Sequence, residues 1–201
     1  MTVTDLIKKK LEKAVTRQQA KEAIKVLLAW AGDNPNREGL QETPKRVVKA
    51  FEEYFSGYLI DPYKDLEKTF GDVGGYDDMV IQKNISIYSH CEHHMAPIVG
   101  VAHVAYIPHE KVVGLSKLAR VVEAYSRRLQ TQERLTMEIA NTVFKGLKAQ
   151  GAAVSIDAAH HCMTSRGIKK HEATTVTNYF TGVFKESHNL QNRFLHYIGQ
   201  K

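Results

Sequence analysis

Nine residues near the middle of the chain, Ser89 to Pro97 (SHCEHHMAP), hold three histidines, a glutamate and one of only two cysteines in the sequence. Thiolate and imidazole are good zinc ligands. Cys91 and His94 stand three apart, a spacing that lets one tight segment present both to the same ion. Two ligands do not hold zinc, which takes three or four. The second cysteine, Cys162, lies in AHHCMTSRG, and it too adjoins a pair of histidines. A lone cysteine is commonly a small buried hydrophobe. Here both cysteines are flanked by paired histidines, which favours a shared metal.

Two cysteines, one histidine and a water make a catalytic zinc arrangement with an open fourth position. A closed site is the alternative, because His90, His93, His160 and His161 offer spare imidazoles. That surplus favours a second task for some of them: histidine titrates near neutral pH and is the commonest general acid or base.

Cations gather in GLSKLARVVEAYSRR. A helix beginning near Ser116 places Ser116, Lys117 and Arg120 about its start, since 117 and 120 are three apart. Cations there oppose the helix dipole unless an anion joins them, and a helix N-terminus with Lys and Arg is a good phosphate cradle. Taken alone, the stretch reads better as a solvated basic face. Arg166, four residues after Cys162, adds a cation near any metal at Cys162. Glu133, between Arg128 and Arg134, is by itself a surface ion pair worth under about 1 kcal/mol. Inside a pocket its carboxylate could accept two hydrogen bonds from a guanine-like edge.

These residues need elements to hold them. DLIKKKLEKAV and RQQAKEAIKVLLAWAG carry helical apolar spacing, the second ending on Gly32 as a C-cap. Thr43 as N-cap and Pro44 at the first helical position start PKRVVKAFEEYFSG, which Gly57 stops. The pattern then changes to period two. MVIQKNISIYS and IVGVAHVAYIP read as strands joined by SHCEHHMAP. Two helices follow, SKLARVVEAYSRRLQ and QERLTMEIANTVFKGLKAQG, the second closed by Gly151. AAVSIDAAHHC and TTVTNYFTGVF read as strands, and the tail KESHNLQNRFLHYIGQK as a last short helix. Two strand pairs around a helical pair predict an α+β protein with an antiparallel sheet and helices on one face. The expected division is a helical region over 1–57 and a catalytic domain over 58–201.

The chain has 201 residues, 43% hydrophobic and 25% charged, enough for a real core. No run approaches the roughly 18 apolar residues of a membrane helix, and the N-terminus lacks the apolar core of a secretory signal. Two cysteines are too few for a disulfide scaffold. A cytoplasmic protein without a membrane partner is expected. The net charge of +6 favours anionic partners.

SHCEHHMAPIVGVAHVAYIP, VVGLSKLARVVEAYSRRLQTQERLT and AHHCMTSRGI, in this order, resemble the GTP cyclohydrolase I family, as do TPKRVVKA before them and TTVTNYFTGVF after. The resemblance runs from about Thr43 to about Phe184. It implies the tunnelling fold, an antiparallel four-stranded sheet with two helices packed on one face, preceded here by an N-terminal helical region. It implies a toroidal homodecamer with active sites between subunits, one zinc per subunit, and no nucleic-acid partner. The implied reaction takes GTP and water to 7,8-dihydroneopterin triphosphate and formate, the first step of tetrahydrofolate and pterin synthesis. Metal-activated water opens the guanine imidazole ring at C8.

Carried over by position, Cys91, His94 and Cys162 match the zinc ligands. His93 matches the proton donor to the purine imidazole ring, and His160 a second catalytic histidine. Glu133 matches the guanine anchor, with Gln132 beside it as a substrate contact. Ser116, Lys117, Arg120 and Arg166 match triphosphate contacts, and Arg46 and Lys49 further phosphate contacts from a neighbouring subunit. His90, Glu92 and His161 match no role. The short N-terminus resembles bacterial forms. Three rival readings make different demands. A zinc nucleobase deaminase needs H-x-E with a later P-C-x-x-C, and no P-C-x-x-C occurs in this sequence. A nucleic-acid-binding zinc module needs a closed four-ligand metal and salt-sensitive binding. A redox switch needs a Cys91–Cys162 disulfide.

Overall fold

The computed structural model describes residues 15–71 and 75–199. The chain divides into two compact units, with the break between Ile60 and Asp61. The DLIKKKLEKAV pattern lies outside the described residues, apart from Val15.

Among the described residues, the first unit holds two α-helices, α1 (Arg17–Trp30) and α2 (Thr43–Tyr54). Thr16 caps α1 by accepting from the Gln19 amide, while the Gln19 side chain returns a bond to the Thr16 backbone, so two orphan donors are satisfied reciprocally. At the other end Gly32, at φ 95°, and Asp33 send their amides back to Ala29 and Leu28. This is the Schellman closure that a left-handed residue allows, so α1 ends just before Gly32. Helix α2 begins one residue earlier than expected: Glu42 is the N-cap, Thr43 the first helical residue and Pro44 the second. Proline fits there because an amide of the first turn has no intrahelical partner anyway. The helix ends at Tyr54, ahead of Gly57, which sits in a 3-10 turn over Ser56–Leu59.

In the second unit four long strands form the body of a sheet: β2 (Val80–Cys91), β3 (Pro97–Ile107), β6 (Gly151–His160) and β7 (Thr175–Gly182). Their mutual pairings are antiparallel, in the order β2-β3-β6-β7. The sheet differs from expectation in one respect. A two-residue strand, β5 (Leu129–Gln130), pairs in parallel with His90 and Cys91 and makes it a five-stranded mixed sheet. Two further short strands, β1 (Thr69–Phe70) and β4 (Val112–Val113), pair with each other alone.

Between β4 and β6 run α3 (Leu115–Ser126) and α4 (Gln132–Leu147). Their apolar stripes, Leu118, Val121, Val122 and Leu135, Ile139, Val143, are fully buried. They share one core with Val104, Tyr106, Ala152, Val154 and Ile156 of the sheet. Burying each large aliphatic side chain contributes roughly 1.5–3 kcal/mol. Helix α4 closes on Lys148 in the left-handed conformation, at φ 49°, while Gly151 already opens β6.

Alternate residues of a strand face opposite sides of a sheet. Ala105, Ile107 and Ala153 therefore point away from α3 and α4. They pack in a second cluster with Phe184 of α6 (Val183–Glu186) and Phe194 of α7 (His188–Tyr197). So the tail is a helix as expected, but it covers the other face, and the sheet is helix-covered on both sides at this end. Burial on both faces is why VAHVAYI reads as a near-continuous apolar run.

Candidate metal centre and active site

The site is assembled by strand register. His90 pairs with Pro97, and Ile98 with His160. The end of β2, the start of β3 and the end of β6 therefore meet at one edge of the sheet. The segment between β2 and β3 closes tightly: the Cys91 amide donates to Ala96 O at 2.8 Å and the Met95 amide to Cys91 O at 2.8 Å. Met95 holds φ 54° to make that turn, at a cost of about 1 kcal/mol for a residue with a Cβ. Across the edge, β6 runs into α5 (His161–Thr164), which carries Cys162. Ligand atoms of Cys91, His94 and Cys162 all come within 4.8 Å of one another.

The chemistry of this donor set fits a cation. Burial, then the neighbouring Cys91 sulfur, push the Cys162 thiol up, while Arg166 opposes them. Two thiolates this close repel each other, and a divalent ion between them reverses the sign of that interaction. Cys91 is buried, Cys162 half-buried and His94 exposed, so the set opens on one side.

His93 lies beside this set. Its ring stands edge-on to His94, with centroids 6.3 Å apart, and its Nδ1 is 3.8 Å from Cys91 Sγ. The side chain is exposed and its Nε2 lies 3.8 Å from Glu92. His160, the last residue of β6, is half-buried. Burial holds its pKa below the usual imidazole value, against a pull upward from Glu133.

β5 brings α4 to the same edge. The Glu92 amide donates to Gln130 O at 3.0 Å, and α4 starts two residues after Gln130 with Thr131 as N-cap. This puts Gln132 and Glu133 next to the donor set. Glu133 is exposed in the first turn of α4, where a carboxylate is favoured by the helix dipole. It does not form the ion pair that its neighbours suggest. Arg134 is 3.4 Å from Glu92 and 3.9 Å from Glu138, and donates to Gln130 Oε1 at 3.1 Å and Leu129 O at 3.3 Å. Arg128 donates to Ala124 O and lies over the Tyr125 ring. Glu92 thus ties the turn between β2 and β3 to β5 and α4. Nothing in the local sequence signals this, because the contact spans two elements.

Gln132, unlike Glu133, points into the interior. It is buried, its Nε2 donates to Ile156 O, Thr175 O and Thr177 Oγ1, and its Oε1 lies 2.7 Å from His160 Nε2.

At the start of α3, Ser116 and Lys117 fall in the first turn and Arg120 in the next. The anion that these cations call for is supplied within the chain. Asp65 Oδ1 is 3.0 Å from Lys117 Nζ and 3.3 Å from Arg120 NH1. Asp65 sits in a 3-10 turn over Lys64–Leu66, and Leu66 is buried against Gly146 of α4, where a Cβ would come within 2.6 Å of Leu66 Cδ1. Sequence reasoning had no signal for Asp65, which precedes Lys117 by some fifty residues. Arg166 is exposed beyond α5, Ser116 is exposed, and His161 is half-buried. Arg46 and Lys49 are exposed on α2 of the first unit.

Fold and site together define a class: an α+β protein with a Cys-His-Cys donor set and a half-buried histidine at one edge of its sheet. Comparison with known proteins gives the family. The GTP cyclohydrolase I family model matches residues 20–199. The chain is 68% identical over 188 residues to the GTP cyclohydrolase 1 of Pelagibacter ubique (strain HTCC1062), covering 94% of this chain and 93% of that protein. It is 56% identical over 180 residues to the enzyme of the same name from Maricaulis maris (strain MCS10), covering 90% and 88%. This chain belongs to the GTP cyclohydrolase I family. Among solved structures, archaeosine synthase QueF-Like in the apo form aligns at 17% identity and a TM-score of 0.43, covering 52% of this chain and 93% of that one. Among the described residues, no helix is long and apolar enough to cross a membrane.

Proposed function

We propose that this chain is a GTP cyclohydrolase that opens the guanine imidazole ring of GTP at the Cys91–His94–Cys162 edge of the sheet. The observation that carries this reading is the convergence of those three side chains, from two separate parts of a chain 68% identical to a protein of that name. Cys91, His94 and Cys162 would hold one zinc ion per chain, which when bound supplies a water that is nucleophilic near neutral pH.

The chain's own residues do the rest. The Glu133 carboxylate accepts from the N–H donors on the pyrimidine edge of guanine and so fixes the base. Ser116, Lys117, Arg120 and Arg166 take the triphosphate, and Lys117 and Arg120 exchange Asp65 for phosphate oxygens. Held at both ends, the substrate keeps C8 toward the metal side, an orientation effect. His93, exposed beside the donor set, protonates N7 as water adds to C8. Collapse of that adduct breaks one of the two C8–N bonds and opens the ring, and a second water then breaks the other and releases formate. The ribose then opens and rearranges, and its carbonyl carbon condenses with the freed amine to close the dihydropterin ring. His160 moves protons in these later steps. The product is 7,8-dihydroneopterin triphosphate.

The same reading extends to assembly. The sheet and its two core helices correspond to a tunnelling-fold catalytic domain, and a toroidal homodecamer would bring Arg46 and Lys49 of one subunit to the triphosphate of another. Both side chains are exposed and three residues apart on α2, which suits a shared anion. Two cysteines retained as metal ligands suit a reducing, cytoplasmic setting.

The deciding experiment is GTP turnover by purified protein with and without a chelator, read as pterin fluorescence after oxidation. Turnover that the chelator abolishes and added zinc restores is expected. Zinc-loaded protein that leaves GTP unchanged would overturn the proposal.

A further inference from the structure

The hydrogen bonds around Gln132 can be followed atom by atom, because two of its partners are carbonyls. Its Nε2 lies 2.7 Å from Thr175 O and 3.1 Å from Ile156 O. A carbonyl oxygen can only accept. The nitrogen end of the carboxamide must therefore face β6 and β7, since a flipped amide would set an oxygen against both carbonyls. Thr177 Oγ1, at 3.2 Å, is the third neighbour. Its own proton has somewhere to go: Thr136 Oγ1 is 2.6 Å away, and that hydroxyl donates to Gln132 O at 2.7 Å. The hydroxyls thus run in one direction and leave Thr177 Oγ1 free to accept from Gln132.

With its nitrogen committed, Gln132 presents Oε1 to His160 Nε2 at 2.7 Å. A carboxamide oxygen is an acceptor only, so Nε2 must carry a hydrogen. Gln132 itself is 1% exposed, so its end of that bond is shielded from solvent. We propose that Gln132 is a positioning residue: it fixes the ring of His160 and holds the neutral imidazole as the Nε2–H tautomer, leaving Nδ1 as the one ring nitrogen with a lone pair. The assignment rests on the reading that His160 acts in GTP turnover. It gives that reading a direction, because the nitrogen available to substrate is Nδ1. It also explains why a glutamine stands at the first position of α4, next to the exposed Glu133. One residue of the pair turns inward to hold a catalytic group, and the other turns outward to hold the base.

The test uses the full-length, zinc-loaded protein labelled with 15N at histidine. The wild type is expected to show His160 with a slowly exchanging Nε2–H and an unprotonated Nδ1. Finding the Nδ1–H tautomer would overturn the proposal whatever any variant does. Gln132→Met, which keeps the length but removes both polar ends, is expected to give mixed tautomers and a kcat at least about tenfold lower, with the KM for GTP within about twofold and zinc content unchanged. A raised KM with kcat preserved would instead make Gln132 a substrate contact. An unchanged kcat and tautomer would reduce it to a packing residue. Should that variant not fold, Thr177→Val removes only the hydroxyl and keeps both carbonyl anchors. It is expected to retain the tautomer and lose no more than about threefold in kcat, and a lost tautomer there would show that the carbonyls do not hold the amide. His160→Ala separates the two levels: full turnover by it would refute a role for His160 in the reaction, while the wild-type tautomer would still decide the lock.

Discussion

Two polar assemblies flank the proposed substrate site, and they are built in opposite ways. At the metal edge, Gln132 and His160 are joined by neutral hydrogen bonds in a buried setting, with carbonyls dictating where each hydrogen lies. At the start of α3, Asp65, Lys117 and Arg120 are joined by charged hydrogen bonds, and the Arg120 side chain is 60% exposed. Proton transfer needs a defined hydrogen on a defined atom, which burial and obligate acceptors provide. Triphosphate binding needs positive charge that can change partners, which the exposed Arg120 permits at a cost below about 1 kcal/mol. On the proposed reading, rigidity is placed where the chemistry is, and exchange where the substrate's charge enters and leaves.

The largest effects should come from the metal edge. Cys162→Ala removes one of three converging donors. It is expected to drop bound zinc well below one per chain and to abolish turnover, with metal analysis and the GTP assay as the paired measurements. A variant that stays active and zinc-loaded would mean that Cys162 is not a ligand. Next in size, His93→Ala should keep its zinc and lose about 10²–10⁴-fold in kcat. Loss of metal in that variant would move His93 from the acid to the ligand set.

Effects at the exchangeable side should appear in KM. Glu133→Ala is expected to raise the KM for GTP at least about tenfold, with zinc content unchanged, and an unaltered KM would remove the guanine-anchor role. Asp65→Asn bears on the comparison directly. If Asp65 competes with the triphosphate for Lys117 and Arg120, its neutralisation should lower KM by about twofold to threefold. A rise would mean that Asp65 serves binding by holding Lys117 in place, and the contrast between a fixed and an exchangeable assembly would fail.

The smallest effect concerns a buried histidine on the sheet face turned away from α3 and α4. Burial, then the Lys83 charge, hold the His103 pKa below the usual value, partly offset by Asp157. Its Nδ1 accepts from the Asn84 amide at 3.4 Å, so protonating that nitrogen removes the bond. The folded protein then binds fewer protons than the unfolded chain just below the ordinary imidazole pKa. The resulting stability is present above about pH 6.5 and is lost as pH falls through the folded value. The fall in Tm between neutral pH and pH 5 should be shallower in His103→Gln than in the wild type. Parallel profiles would show that His103 contributes nothing to acid sensitivity.

Much of this was legible in the residues because it is local. Period-two runs gave the four long strands, and apolar spacing gave α1 to α4. Cys91, His94 and Cys162 could be singled out because histidines crowd both cysteines. Features that depend on register were not legible. β5 is two residues long, too short for any periodicity, yet it carries the start of α4 to the metal turn. The last helix was readable as a helix, but its place on the second face follows from alternate residues of β3 and β6, which show two apolar sides only once the sheet exists. Glu133 looked paired with Arg134 because they are neighbours in sequence, whereas Arg134 reaches back to Glu92.

The sequence by itself determined the inventory: two thiols and a crowd of imidazoles for a metal and a proton, cations for an anionic substrate, and the helices and strands that carry them. It could do so because side-chain chemistry and backbone periodicity are properties of residues and their near neighbours. Only the tertiary structure decided the partnerships: Gln132 with His160, Asp65 with Lys117 and Arg120, Glu92 with Arg134. Hydrogen bonds and ion pairs act over about 3–4 Å. Which atoms come that close, from elements tens of residues apart, is set by strand pairing and helix packing.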